Sequence, residues 1–252
     1  MSPITADRFR GAWLLRRPQE TATHRIFCFP YSGVGASMYA RWPHWAGPAE
    51  VCPIQPPGRE NRLAEAHYDT FDALAEQLVP VLEPHLDRPF AFFGHCSSAL
   101  AGFAVARRLA EVGLPVPQRL FVSSQLAPHE PPYGRFLAMD DEALTTELAE
   151  LTRSMGGEPM PEMLDLGLSV MKADIAAHKQ YRIPEPVELP CGVTVIGWDQ
   201  DQEVRPELMD GWRHYSEDVR FLTLRGSHHT FLQAPLALMA ELSHDVQRDA
   251  AR

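Results

Sequence analysis

The sequence is short of positive charge. Its 23 lysines and arginines face 33 aspartates and glutamates, a formal net charge of −10 over 252 residues. Attraction to nucleic-acid phosphates or to anionic lipid therefore has no electrostatic driving force, and neither nucleic acid nor a membrane surface is an expected partner. Long hydrophobic runs are missing as well: none approaches the eighteen residues of a membrane span. The opening stretch MSPITADRFRGAWLLRRP sets arginines on both sides of a brief apolar segment, too short for the core of a signal peptide, so a cytoplasmic protein is expected. Cysteine is scarce. Cys28, Cys52, Cys96 and Cys191 form no C-x-x-C pair and have no zinc-ligand spacing, which excludes a disulfide framework and a structural zinc site of the usual kind. Internal repeats and low-complexity tracts are also lacking.

What is present suits one globular domain spanning residues 1–252, with 45% hydrophobic and 22% charged residues. Apolar runs of strand length recur at 24–29, 50–54, 90–94, 119–124, 192–197 and 219–224. Helical spacing fills most of the intervals, as in 69–86, where Asp69 or Thr70 supplies a cap, and in 97–113, stopped at Gly113. Strands alternating with helices indicate an α/β fold with a mostly parallel sheet covered on both faces. Between 135 and 190 the rhythm changes to two helical patterns with no strand between them. This segment is read as a helical lid inserted over the carboxyl edge of the sheet, where open α/β folds bind ligands. Cys28, Cys52 and Cys191 lie in or beside apolar runs and read as small buried hydrophobes.

The stretch FAFFGHCSSALAGF gives strand, sharp turn and helix, the context of a nucleophile elbow. Of Cys96, Ser97 and Ser98, only Cys96 falls at the apex, where the helix end and a nearby imidazole favour a thiolate. The positions two before and two after it must be small, and they are Gly94 and Ser98; glycine is usual at the second, so Ser98 is a departure. A base is expected from GSHHTFL, the loop after the last predicted strand. His228 is preferred there, with His229 as the alternative, since spacing alone does not separate neighbours. The orienting carboxylate is expected in WDQDQEV, with Asp201 preferred for reach and Asp199 assigned to stabilising the turn. Nucleophile, acid and histidine then follow the chain order of an α/β-hydrolase. The loop FPYSGVGAS after the first strand is placed to aim the backbone N–H of Ser32 at a reacting carbonyl, with the N–H of Ser97 as the second oxyanion donor. The same loop lacks the Lys and Ser/Thr of a phosphate-binding P-loop.

With these pieces in place, the chain resembles the type II thioesterases that serve nonribosomal peptide and polyketide synthases. The likeness runs through CFPYSGVGAS, QPPGRENR, PFAFFGHCSSALAGF, FVSSQLAPH, MGGEPMPEML, WDQDQEV and GSHHTFL. It implies an α/β-hydrolase fold with a helical lid, acting on acyl groups held by a carrier protein through phosphopantetheine, with a triad on Cys96, Asp201 and His228. No metal or redox cofactor of the enzyme's own is indicated by the sequence. Members ordinarily carry serine where Cys96 stands and glycine where Ser98 stands. A cysteine forms an acyl-enzyme that is itself a thioester, close in energy to the pantetheine thioester, so the acyl group stays activated. Hydrolytic release is the leading expectation. Transfer of an acyl or aminoacyl group between carrier proteins is the alternative, followed by cyclising release or a non-catalytic carrier-binding role. Docking an acidic carrier on an acidic chain calls for a local basic or apolar patch. Arg59 and Arg62 are read as exposed, either part of such a patch or simply solvated. Met155, Met160, Met163 and Met171 are read chiefly as core, and the chain as a monomer.

Overall fold

A computed structural model describes residues 13–250 of the chain. The segment read for a signal peptide falls mostly on residues 1–12, outside the described residues. Six strands lie on the six apolar runs: β1 (His24–Cys28), β3 (Ala49–Pro53), β4 (Phe90–His95), β5 (Arg119–Ser123), β6 (Gly192–Trp198) and β7 (Val219–Leu224). A seventh, β2 (Trp45–Ala46), has no sequence signature, because two residues carry no period. The sheet order is β2-β3-β1-β4-β5-β6-β7, parallel throughout except for the β2/β3 pair.

The strands are apolar on both sides because both faces are covered. Phe27, Phe92, Leu120 and Val193 share one core cluster with α1 (Phe71–Leu82) and α2 (Ser97–Glu111). Their neighbours along the strands, Ile26, Phe93 and Phe121, point the other way and meet α5 (Leu236–Ala250) through Leu238, Leu242 and Val246. Thr70 Oγ1 caps α1 by accepting from Ala73 N at 3.0 Å, and Gly113, at φ +72°, follows the end of α2. The chain leaves β1 toward β3 on one side and returns to β4 on the other. The carboxyl ends of β1 and β4 thus flank the point where an open sheet reverses direction, the usual place for a ligand crevice.

Between β5 and β6 lie α3 (Asp141–Ser154) and α4 (Pro161–Gln180), within the segment 135–190. Both pack on the loop that follows β1: a Cβ placed on Gly33 would sit 2.9 Å from the side chains of Leu148 on α3 and Met171 on α4. One buried carboxylate fastens α4 there. Asp174 accepts from the backbone N–H of Gly33 at 2.9 Å, from both guanidinium nitrogens of Arg59 at 2.8 and 3.0 Å, and from Tyr68 OH at 2.7 Å, with His67 Nε2 at 3.0 Å. Burial alone would raise its pKa, but the charge of Arg59 and the His67 contact hold it well below the usual carboxylate range.

This network corrects the expectation that Arg59 is exposed: the side chain is buried, and its two terminal nitrogens pair with a carboxylate 115 residues away. Arg62 is buried too, its guanidinium 4.2 Å from the ring of Trp13 and donating to Gln55 O at 2.9 Å. Neither is available for a carrier. The methionines also divide differently from the expectation. Met171 is core and Met155 packs at its edge, whereas Met160 and Met163, on the outer start of α4, are exposed. Cys28 and Cys52 are buried and Cys191 is half-buried; all four cysteines are free. Among the described residues, no helix is long and apolar enough to cross a membrane.

Candidate active site

β4 ends at His95 and α2 begins at Ser97, leaving Cys96 to turn the chain alone. Its backbone sits at φ 55° and ψ −140°, a conformation that costs a non-glycine residue about 1–3 kcal/mol and persists only when its surroundings enforce it. The enforcement is visible. Cys96 N–H donates to Ser123 O on β5 at 2.8 Å. Gly94 lies so close to the start of α2 that a Cβ there would be 2.5 Å from backbone atoms of Ala99. Ser98 is accommodated because its hydroxyl is absorbed by the turn, accepting from His95 N at 3.0 Å and donating to His95 O at 2.9 Å. The departure from glycine is thereby explained as an extra tie across the elbow.

His228 opens a short 3₁₀ turn, His228–Gln233, that Ser227 and Thr230 close with a capping box. Its Nδ1 lies 2.9 Å from Asp201 Oδ2. That same oxygen accepts from Ser124 Oγ at 2.7 Å, and Oδ1 accepts from the N–H groups of Glu203 at 2.8 Å and Val204 at 3.0 Å. Against the effect of burial, these bonds and the imidazole lower Asp201 to about 2. Burial disfavours charge on His228 as well, yet the hydrogen bond to Asp201 and the negative charge of the Cys96 and Glu203 side chains nearby together lift its pKa to about 10. Asp199 accepts from Gly226 N at 2.8 Å and steadies the histidine loop, as its place in the turn suggests.

The neighbouring His229 makes no such contact with Asp201. Its Nε2 is 3.4 Å from Tyr31 OH, and burial together with the charge of His228 lowers its pKa to about 4. The two candidate oxyanion residues do meet: Ser32 Oγ and Ser97 Oγ are 2.8 Å apart, joining the loop after β1 to the first turn of α2. His95, directly before the apex, is fully buried with its ring stacked on Phe231 at 3.9 Å and Nδ1 2.8 Å from Ser123 Oγ. Burial, reinforced by His228, depresses its pKa strongly and keeps it neutral.

Two contributors are absent from the sequence-based set. Ser124, held at φ 47°, supports Asp201; its only signal is its place in FVSSQ at the end of a strand. Glu203 brings Oε2 to 3.6 Å from His228 Nε2, while its Oε1 pairs with Arg135 Nε at 2.8 Å. Burial raises the Glu203 pKa. Glu203, Arg135, His228 and His229 border a cavity of about 710 Å³ that also reaches Tyr133 and Leu137. Cys96 is only 5% exposed and does not line it. The arrangement brings a cysteine at the apex of the β4–α2 turn and an imidazole braced by a carboxylate to the same edge of the sheet, residue types that nucleophilic acyl transfer uses.

Comparison with known proteins gives the family. A family model described as a thioesterase domain matches residues 24–245. The chain is 36% identical over 231 residues to linear gramicidin dehydrogenase LgrE of Brevibacillus parabrevis, covering 86% of this chain and 85% of that protein. Among solved structures it is similar to the RedJ thioesterase of the prodiginine pathway of Streptomyces coelicolor, at 33% identity and a TM-score of 0.76, covering 94% of this chain and 99% of that one. It is also similar to the type II thioesterase BorB from the borrelidin biosynthetic cluster, at 27% identity and a TM-score of 0.79, covering 93% and 98%.

Proposed function

The chain belongs to the thioesterase domain family, and from that membership we propose that it is a type II thioesterase that takes acyl or aminoacyl groups from the phosphopantetheine thioester of a carrier protein onto Cys96 and releases them by hydrolysis. The observation that carries this reading is the strained cysteine at the β4–α2 apex together with an imidazole whose Nδ1 is held at 2.9 Å by a buried aspartate. In the proposed cycle, His228 Nε2 holds the proton given up by the Cys96 thiol. The thiolate adds to the thioester carbonyl, and the oxyanion is met by the backbone N–H groups of Ser32 and Ser97. Collapse expels the pantetheine sulfur, which leaves as a thiol with the proton from His228. Water, deprotonated by His228, then attacks the acyl-cysteine; the free acid departs and the thiol is restored. Because Cys96 is buried, the pantetheine arm needs α3 and α4 to shift, which is the lid role proposed for 135–190. No cofactor of the enzyme's own enters these steps, and the chain acts as a monomer.

The dehydrogenase name of one relative is not carried over. A dinucleotide site of the doubly wound type uses a glycine-rich turn opening a long helix after the first strand. Here that turn opens only the 3₁₀ segment Ala36–Arg41. A second reading, transfer between carriers, is favoured by one specific observation: the apex atom is sulfur, so the acyl-enzyme remains a thioester. One experiment tests both. The protein is mixed with an acylated carrier, and intact mass is followed before and after adding a second, unloaded carrier. An adduct dependent on Cys96 followed by free acid supports hydrolysis, and loading of the second carrier supports transfer. No adduct and no turnover with the wild type would overturn the catalytic reading in favour of carrier binding alone.

A further inference from the structure

We propose that the Nε2 side of His228 is a binding site for a divalent transition-metal ion of the zinc type, formed with Glu203 and His229, and that an ion there arrests turnover. Ligand atoms of these three residues lie within 4.8 Å of one another. Two imidazoles and one carboxylate are a donor set that zinc takes readily, with a fourth position left for water. The site has the features that such a centre needs. His228 Nε2 is buried and has no hydrogen-bond partner. His228 Nδ1 is held by Asp201, the carboxylate-to-histidine support that orients imidazole ligands in zinc sites. Glu203 gives only Oε1 to Arg135, and the oxygen facing His228 is Oε2. The contact of His229 Nε2 with Tyr31 OH is a long 3.4 Å, a weak competitor for the nitrogen. Donors about 2.1 Å from zinc stand about 3.4 Å apart in tetrahedral geometry, so the three need only a modest inward movement. All three line the cavity of about 710 Å³, which gives the ion a way in.

The sulfur is not one of the three ligands, which separates this site from ordinary capture of a thiol by a soft metal. Arrest follows because the ion occupies the nitrogen that must carry the proton; that half rests on His228 as the base, whereas binding itself does not. Calorimetric titration of Zn²⁺ into tag-free protein tests the site. Wild type and Cys96→Ser are expected to bind one ion at this site with affinities within about threefold of each other. Glu203→Gln and His229→Asn should each weaken binding by about tenfold or more, and His228→Asn should remove it. The same Zn²⁺ range should stop wild-type thioester hydrolysis reversibly on addition of a chelator, while Mg²⁺ does not. Binding lost in Cys96→Ser but unchanged in Glu203→Gln and His229→Asn would put the ion on the sulfur and overturn the site. Binding as expected with turnover unaffected would overturn the arrest and count against His228 as the base.

Discussion

With Cys96 as the proposed nucleophile, exchanging its sulfur for oxygen would change where the acyl group can go next. An ester on serine resists return to a thiol, whereas a thioester on cysteine exchanges with thiol and water alike. Cys96→Ser is therefore expected to keep measurable hydrolysis while lowering the ratio of second-carrier loading to free acid, read by mass spectrometry of both carriers. Asp201→Asn should lower kcat by about 10³–10⁴-fold with the fold retained, since the imidazole loses its tautomer and its support. The same residue pair leaves a mark on stability. His228, lifted to about 10 from 6.5, contributes fully below pH 6.5 and loses that contribution as pH rises through about 10. Asp201, lowered to about 2 from 3.8, contributes above pH 3.8 and loses it as pH falls through about 2. Urea midpoints of wild type and Asp201→Asn should thus differ most between about pH 4 and 6.5 and draw together toward pH 10. The sequence carries Cys96, Asp201 and His228 as candidates because each sits at a strand end with turn residues around it. It does not separate His228 from His229; the capping box that starts at Ser227 does, by fixing which ring faces Asp201. Glu203 is invisible in the sequence because a loop carboxylate is ordinarily solvated, and nothing local announces Arg135 or the imidazole beside it.

Among the elements, strands buried on both faces are legible from their length and bounding turns, and α1 and α2 from their caps and stops. The long-range tie between α4 and the loop after β1 is not legible. Asp174 lies on a helix whose pattern shows only amphipathicity, and Arg59 follows a glycine in a loop, where a guanidinium normally meets water. Only their pairing across the fold makes burial affordable for either. Replacing Asp174 with alanine would strand the Arg59 charge in the interior. The expected cost is about 3–5 kcal/mol, measured as a drop in the urea midpoint, and far larger than for an exposed carboxylate on the same helix such as Asp165. A change comparable to that of Asp165→Ala would show that the network contributes little.

For the molecule as a whole, the net charge of −10 bears on its encounter with a carrier. With Arg59 and Arg62 buried, they add no local attraction. For an acidic carrier, kcat/KM should rise as salt is increased from low ionic strength to about 0.15 M, where screening reaches about 8 Å, and a fall would reveal a basic docking patch. The Asp174 clasp has one more consequence. A single carboxylate grips both the overhead helix and the amide next to Ser32. A movement of that helix of the kind put forward under the proposed function would pass through this carboxylate to the loop that carries Ser32. Asp174→Asn, which weakens that grip while keeping the side chain's shape, is then expected to change the opening of the helix and the setting of the Ser32 loop together rather than separately.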